Sequence, residues 1–171
     1  VPCLQWAVTA SGQSPDFARV VALGDSLTAN SPWPTYPTLI TPLLGSGSFV
    51  NLAMGGASST SLLATGQHTR AIDDHHARFA FLWIGGNDML GAWQSGALSQ
   101  SGNPAWIDQY EINLATALDT LIAGGAEVII ANLMDFNDET GFPRGSSVPP
   151  RQRATVDANL AIYRLRLQAV A

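Results

Sequence analysis

Apolar residues in this chain fall into two patterns: short unbroken runs, and longer stretches where they recur every three or four positions. The first run is Ala18-Arg19-Val20-Val21-Ala22-Leu23, stopped by Gly24. Runs of this kind read as parallel strands, which are apolar throughout because helices cover both faces of the sheet. Residues 48–53 make a second run, followed by Gly55-Gly56, and residues 78–84 a third and clearest one, followed by Gly85-Gly86. Residues 126–133 make a fourth.

The periodic stretches predict helices. Ile107, Tyr110, Leu114, Leu118 and Leu121 share one helical face, and Gly124-Gly125 stops that helix. Val156, Leu160, Tyr163, Leu167 and Val170 share a face of a final helix beginning near Pro150, a residue acceptable in a first turn. Pro32, Pro34, Pro37 and Pro42 predict a loop and then an irregular helix at 35–44, and a helix of small residues starts within 57–64. Residues 91–104, rich in Gly, Ser and Gln, read as a surface loop, and residues 1–17 as a lead-in packed on the outside. Residues 135–150 read as a long loop, a candidate lid or proteolysis site whose Asp135, Asp138 and Glu139 are solvated. Strands alternating with helices predict one α/β domain over 1–171, a three-layer α/β/α sandwich with a flavodoxin-like parallel sheet.

Composition narrows the function classes. At 171 residues and 46% apolar, the chain can bury roughly 70% of its unfolded surface in one core. Charged residues are 12% and the net charge is −5, without the basic stripe that nucleic-acid binding needs. Every cation among its Lys and Arg positions is arginine, to which we attach no mechanism. Cys3 is the single cysteine, so neither an internal disulfide nor a cysteine metal cluster can form. No apolar run approaches the roughly 18 residues of a membrane span. The first residues lack the order of a signal peptide, which leaves localisation open, with a secreted or envelope protein slightly favoured.

Three segments fall just beyond apolar strands: Gly24-Asp25-Ser26-Leu27-Thr28, Asn51 to Gly56, and Gly85-Gly86-Asn87-Asp88. Ligands of open parallel sheets bind at those strand ends. Ser26 would sit where a strand turns, with Gly24 allowing the bend and backbone N–H groups around the hydroxyl. Ester hydrolysis needs that setting, since fixed donors stabilise the oxyanion by on the order of 3 kcal/mol each. Taken singly, a Gly-Asp-Ser turn is an ordinary turn, Gly55-Gly56 a packing device and Asn87 a helix cap. Their order and their common position beyond strands favour the chemical reading. Asp25 and Asp88 read as supports of loop structure.

These segments resemble the SGNH hydrolase family, the GDSL esterases and lipases, over about residues 18–170. Gly24-Asp25-Ser26-Leu27 resembles its first block, which implies Ser26 as nucleophile. Asn51-Leu52-Ala53-Met54-Gly55-Gly56-Ala57 resembles the second, which implies an oxyanion-hole N–H from Gly56; Ala53 stands where many relatives have glycine. Trp83-Ile84-Gly85-Gly86-Asn87-Asp88 resembles the third, which implies an oxyanion donor from the Asn87 side chain. The family's fourth block, Asp-x-x-His near the C-terminus, has no counterpart: the last histidine is His76 and the last aspartate Asp157. Its histidine serves as general base and its aspartate orients that histidine.

The three histidines do not fill that gap. His75 and His76 precede the strand at 78–84 and belong to the opposite sheet edge, roughly 15–20 Å from Ser26. His68, in Gly-Gln-His-Thr, reads as a solvated loop residue, and Asp73-Asp74-His75-His76 as adjacent surface side chains rather than a metal site. The strand at 126–133 would be an exposed apolar edge. The expectation is an N-terminal portion of a longer polypeptide, whose general-base His and its Asp lie outside this chain, on a last strand and helix or on a second chain.

The function expected is cleavage of carboxylic, short-chain acyl esters through an acyl-serine, with no cofactor and no metal. Lipid, thioester and acetylated-sugar substrates stay open, and Trp33, Tyr36, Trp93 and Trp106 are placed in loops that line the pocket or cover the sheet ends. The competing reading is a truncated or degenerate hydrolase that binds acyl or sugar ligands, or a partner, without turnover. A flavodoxin-like nucleotide-binding module fits the fold but lacks either common phosphate-loop glycine pattern.

Overall fold

Strand β1, Arg19–Gly24, lies at the centre of a parallel four-stranded sheet of order β2-β1-β3-β4. The structure, a computed structural model, describes residues 16–29, 36–45, 47–101, 105–131 and 150–170. Strands β2, Ser48–Asn51, and β3, Phe79–Trp83, flank β1, and β4, Glu127–Ile130, pairs with β3. Each occupies an apolar run read from the sequence, trimmed by a few residues at its ends. The long loop expected at 135–150, most of the lead-in, Trp33 and the chain beyond Ala131 lie outside the described residues up to the final helix.

Residues paired in a parallel register share a face, so the sheet sorts its side chains cleanly. Val21, Leu23, Val50, Ala80, Leu82, Val128 and Ile130 point to one side, into the main core. That side is covered by α2, Ser59–Ala64, α3, Gln67–Asp73, and α5, Ala105–Ala123. Helix α6, Pro150–Val170, packs beside α5 and buries Val156, Leu160 and Tyr163. Tyr163 stacks between Trp106 and Tyr110 of α5, at centroid distances of 5.3 and 4.5 Å. Arg166 of α6 meets Glu111 and Asp108 on α5, an ion-paired border to that contact.

The other side carries Val20, Ala22, Phe79, Phe81, Trp83 and Ile129. Among the described residues, it is met by α1, Tyr36–Ile40, a 3₁₀ turn Thr41–Leu44, and the ring of Phe17 packed on Phe79 at 4.7 Å. The irregular helix predicted at 35–44 is this α1 and its 3₁₀ continuation, which starts where Pro42 leaves no N–H to continue the α-helical ladder. Between α1 and the strands, Tyr36, Ile40, Phe81, Trp83 and Ile129 line an open apolar hollow of about 250 Å³.

Residues 91–101 correct the sequence reading, while 102–104 lie outside the described residues. Instead of a surface loop, α4, Gly86–Gln94, continues through Gly91, and a 3₁₀ turn, Ala97–Ser99, follows. Ala92 and Leu98 are buried beside Met89, Val156 and Leu160 in a second core cluster. Asn159 of α6 donates to the carbonyls of Leu98 and Gln100, satisfying backbone that a solvent-facing loop would have given to water. No described helix is long and apolar enough to cross a membrane.

Candidate active site

The turn after β1 is built by Asp25. Its carbonyl accepts the N–H groups of Thr28 (3.1 Å) and Ala29 (2.8 Å), and its carboxylate Oδ1 accepts the N–H of Leu27 at 2.9 Å. That is one helical turn with a side-chain cap at its head. Ser26 occupies the first position of the turn and is exposed, while Asp25 and Thr28 on either side are buried. Gly24 makes the bend possible: its φ is +142°, and an added Cβ would lie 2.0 Å from the Trp83 carbonyl oxygen.

The loop after β2 is laid directly against this turn. Met54 N–H donates to the Gly24 carbonyl (3.1 Å), and Asn51 Nδ2 donates to the Thr28 carbonyl (2.7 Å). The same Asn51 side chain accepts from Ala53 N–H, so one asparagine shapes its own loop and anchors the neighbouring one. Gly56 follows with φ +78° in an exposed turn, and no heavy atom outside its immediate neighbours lies within 4 Å of where its Cβ would stand. Ser58 then caps α2, exchanging a capping box with Ser61.

The third segment completes the rim. Asn87 is the second residue of α4, and its Nδ2 donates to the Ala57 carbonyl at 2.8 Å. That bond uses one of the two amide hydrogens and fixes the plane of the group. Asp88 reaches the same loop, accepting the backbone N–H and the hydroxyl of Ser59. Gly86 sits beside the Asp25 carboxylate. Ser26, Gly56 and Asn87 thus stand on three loops at the C-terminal edge of the sheet, tied to each other by named hydrogen bonds.

Two carboxylates are sunk beneath this edge. Burial pushes Asp25 above the ordinary carboxylate range, against the Leu27 N–H, and the charge of Asp88 adds to the rise. Burial likewise raises Asp88, opposed by its two bonds from Ser59. Asp25 caps its own turn, and Asp88 ties α4 to the start of α2.

Among the described residues no histidine hydrogen-bonds Ser26. His75 and His76 sit just before β3, with His76 at φ +51° and its carbonyl accepting from Arg19 Nε (2.7 Å). His68 corrects the sequence reading: it lies in α3, buried rather than solvated, its Nδ1 is without a hydrogen-bond partner, and burial lowers its pKa. Among the described residues no group of His, Cys, Asp and Glu side chains converges as a metal site.

The sequence profile of the GDSL-like Lipase/Acylhydrolase family matches residues 22–171. The chain belongs to this family. Solved GDSL-type folds agree with its architecture. The acetyl xylan esterase Axe2 of Geobacillus stearothermophilus superposes with a TM-score of 0.61 at 16% identity, covering 90% of this chain and 73% of that one. TesA gives 0.58 at 18% identity, with coverages of 84% and 71%. The acetyl xylan esterase AlAXEase gives 0.57 at 16%, with 88% and 73%. No curated protein sequence matches the chain.

Within this GDSL-like fold the loop aromatics separate. Tyr36 opens α1, and its hydroxyl accepts from Thr28 Oγ1 at 3.3 Å, next to the Ser26 turn. Trp93 and Trp106 lie in helices rather than loops: Trp93 packs on the second core cluster and Trp106 on Tyr163. Sequence reasoning missed three polar residues that hold the site. Gln67 bonds Gly24, Ser59 bonds Asp88, and Asn113 of α5 donates to Ser59 Oγ (3.0 Å) and Thr60 Oγ1 (2.9 Å). Polar side chains that bond to backbone or to one another at long range leave no periodic signal.

Proposed function

We propose that this GDSL-family protein cleaves carboxylic esters of short acyl groups through an acyl-serine at Ser26. The observation that carries the reading is the joining of the three loops: Met54 to Gly24, Asn51 to Thr28 and Asn87 to Ala57 put an exposed serine, an open glycine and an oriented amide on one rim. Ser26 Oγ adds to the ester carbonyl carbon as its proton passes to a general base. The oxyanion takes hydrogen bonds from the Ser26 N–H, the Gly56 N–H and the second Asn87 amide hydrogen. The C–O bond then breaks, the departing alcohol takes the proton, and water releases the acid by the same steps in reverse order. In this proposal the base is a histidine outside these 171 residues; among the described residues His68, His75 and His76 make no hydrogen bond to Ser26.

That last point also favours a second reading, a hydrolase fold that binds acyl or sugar ligands without turnover. Hydrolysis of p-nitrophenyl acetate and butyrate by the chain and by Ser26→Ala, with and without added imidazole, separates the two. Turnover that depends on Ser26, or appears when imidazole stands in as base, supports the esterase. Equal rates for the two proteins under both conditions support the binder.

A further inference from the structure

Gln67 is fully buried and 43 residues from Gly24 in sequence, yet its carboxamide meets that glycine twice. Gly24 N–H donates to Oε1 at 2.9 Å, and Nε2 donates to the Gly24 carbonyl at 3.2 Å. Gly24 ends β1, and its φ of +142° turns the chain out of the strand. Buried backbone groups at such a departure need partners away from the ladder. A primary amide supplies one acceptor and one donor in a single plane, which is what the N–H and C=O of one residue require.

We infer that Gln67 is a positioning residue for the nucleophile. It holds the backbone of Gly24, from which the turn Asp25–Ala29 starts, and so sets the direction of the Ser26 hydroxyl without touching it. The downstream side of the turn has its own anchors in the Asp25–Leu27 and Asn51–Thr28 bonds. On the upstream side the Gly24 carbonyl also accepts the Met54 N–H, and Gln67 adds the side-chain anchor that holds the Gly24 N–H as well, carried on α3 and backed by the contact of α3 with α5. The inference rests on the assignment of Ser26 above. Substitution chemistry at this position is discriminating. Methionine fills the volume and offers neither bond. Glutamate offers both when protonated, and two acceptors facing a carbonyl when ionised.

The test compares the chain with Gln67→Met and Gln67→Glu by amide hydrogen exchange and by kcat and KM for p-nitrophenyl butyrate with imidazole present. In Gln67→Met, exchange over residues 24–29 rises at least about tenfold while α5 is unchanged. Its kcat falls at least about tenfold with KM held within about twofold. In Gln67→Glu, the faster exchange reverses as the pH falls and the buried carboxyl takes up a proton, which burial favours. Unchanged exchange over 24–29 overturns the inference, as does a rise shared equally by α5. Faster local exchange with an unchanged kcat, in a parent protein that shows Ser26-dependent turnover, overturns it as well. A parent protein without such turnover overturns the esterase reading instead, and exchange alone then decides whether Gln67 holds the turn.

Discussion

The carboxylate of Asp88 accepts both the hydroxyl of Ser59 (2.5 Å) and its backbone N–H (2.9 Å), locking the start of α2 to the first turn of α4. Asn113 extends the lock to α5 through the same hydroxyl. Ser59→Ala therefore takes a partner from half-buried Asp88 and buried Asn113 at once, and is expected to cost about 1–3 kcal/mol in urea unfolding. The pair Ser59→Ala with Asp88→Asn should cost less than the two single changes summed, by about 0.5–3 kcal/mol. Additive losses would mean that the two groups act independently.

Gly24 and Gly56 both have positive φ, but only Gly24 is crowded, with the Trp83 carbonyl oxygen 2.0 Å from an added Cβ. Gly24→Ala combines backbone strain with a clash against a strand, and should lose at least about 3 kcal/mol. Gly56→Ala meets no neighbour and should lose about 1–2 kcal/mol, the cost of the left-handed conformation alone. Thermal unfolding of the two variants side by side checks the ordering, and equal losses would contradict it.

The raised pKa of Asp25 has a definite sign in stability. The folded protein keeps this proton at pH values where the unfolded chain, with the ordinary value of 3.8, has released it. The contribution of Asp25 is thus complete below the unfolded value and is lost as pH rises through the folded one. Asp25→Asn keeps the Oδ1 acceptor for Leu27 and removes the charge. Its melting temperature relative to the parent should rise as the pH climbs above the ordinary value of 3.8 and level off once the folded carboxyl has ionised. A relative gain that shrinks over that climb would reverse the assignment.

Asn87 has a structural bond and a proposed catalytic one on the same nitrogen. Asn87→Ala should lower kcat by about 10²–10³. Loss of the bond to Ala57 should cost only about 1 kcal/mol of stability. A stability loss without a kinetic one would leave Asn87 as a tie between α4 and the second loop.

The strands were legible because two covered faces demand continuous apolar runs, and α5 because its buried positions Ile107, Tyr110, Leu114, Leu118 and Leu121 keep helical spacing. Helices α3 and α4 were hidden by what they bury. The core-facing side of α3 includes Gln67 and His68, and α4 packs through Met89 and Ala92 around two glycines. The positions of Ser26, Gly56 and Asn87 beyond the strands followed from their spacing. The bonds that orient them did not, because Gln67, Ser59 and Asn113 act on partners far away in sequence.

Among the described residues, Gln67, Ser59 and Asn113 all hold the rim from the face of the sheet that α2, α3 and α5 cover. The apolar hollow beside α1 lies on the other face, and its Tyr36 reaches the nucleophile turn through Thr28. An apolar ligand seated in that hollow would therefore stand one hydrogen bond away from the turn that carries Ser26.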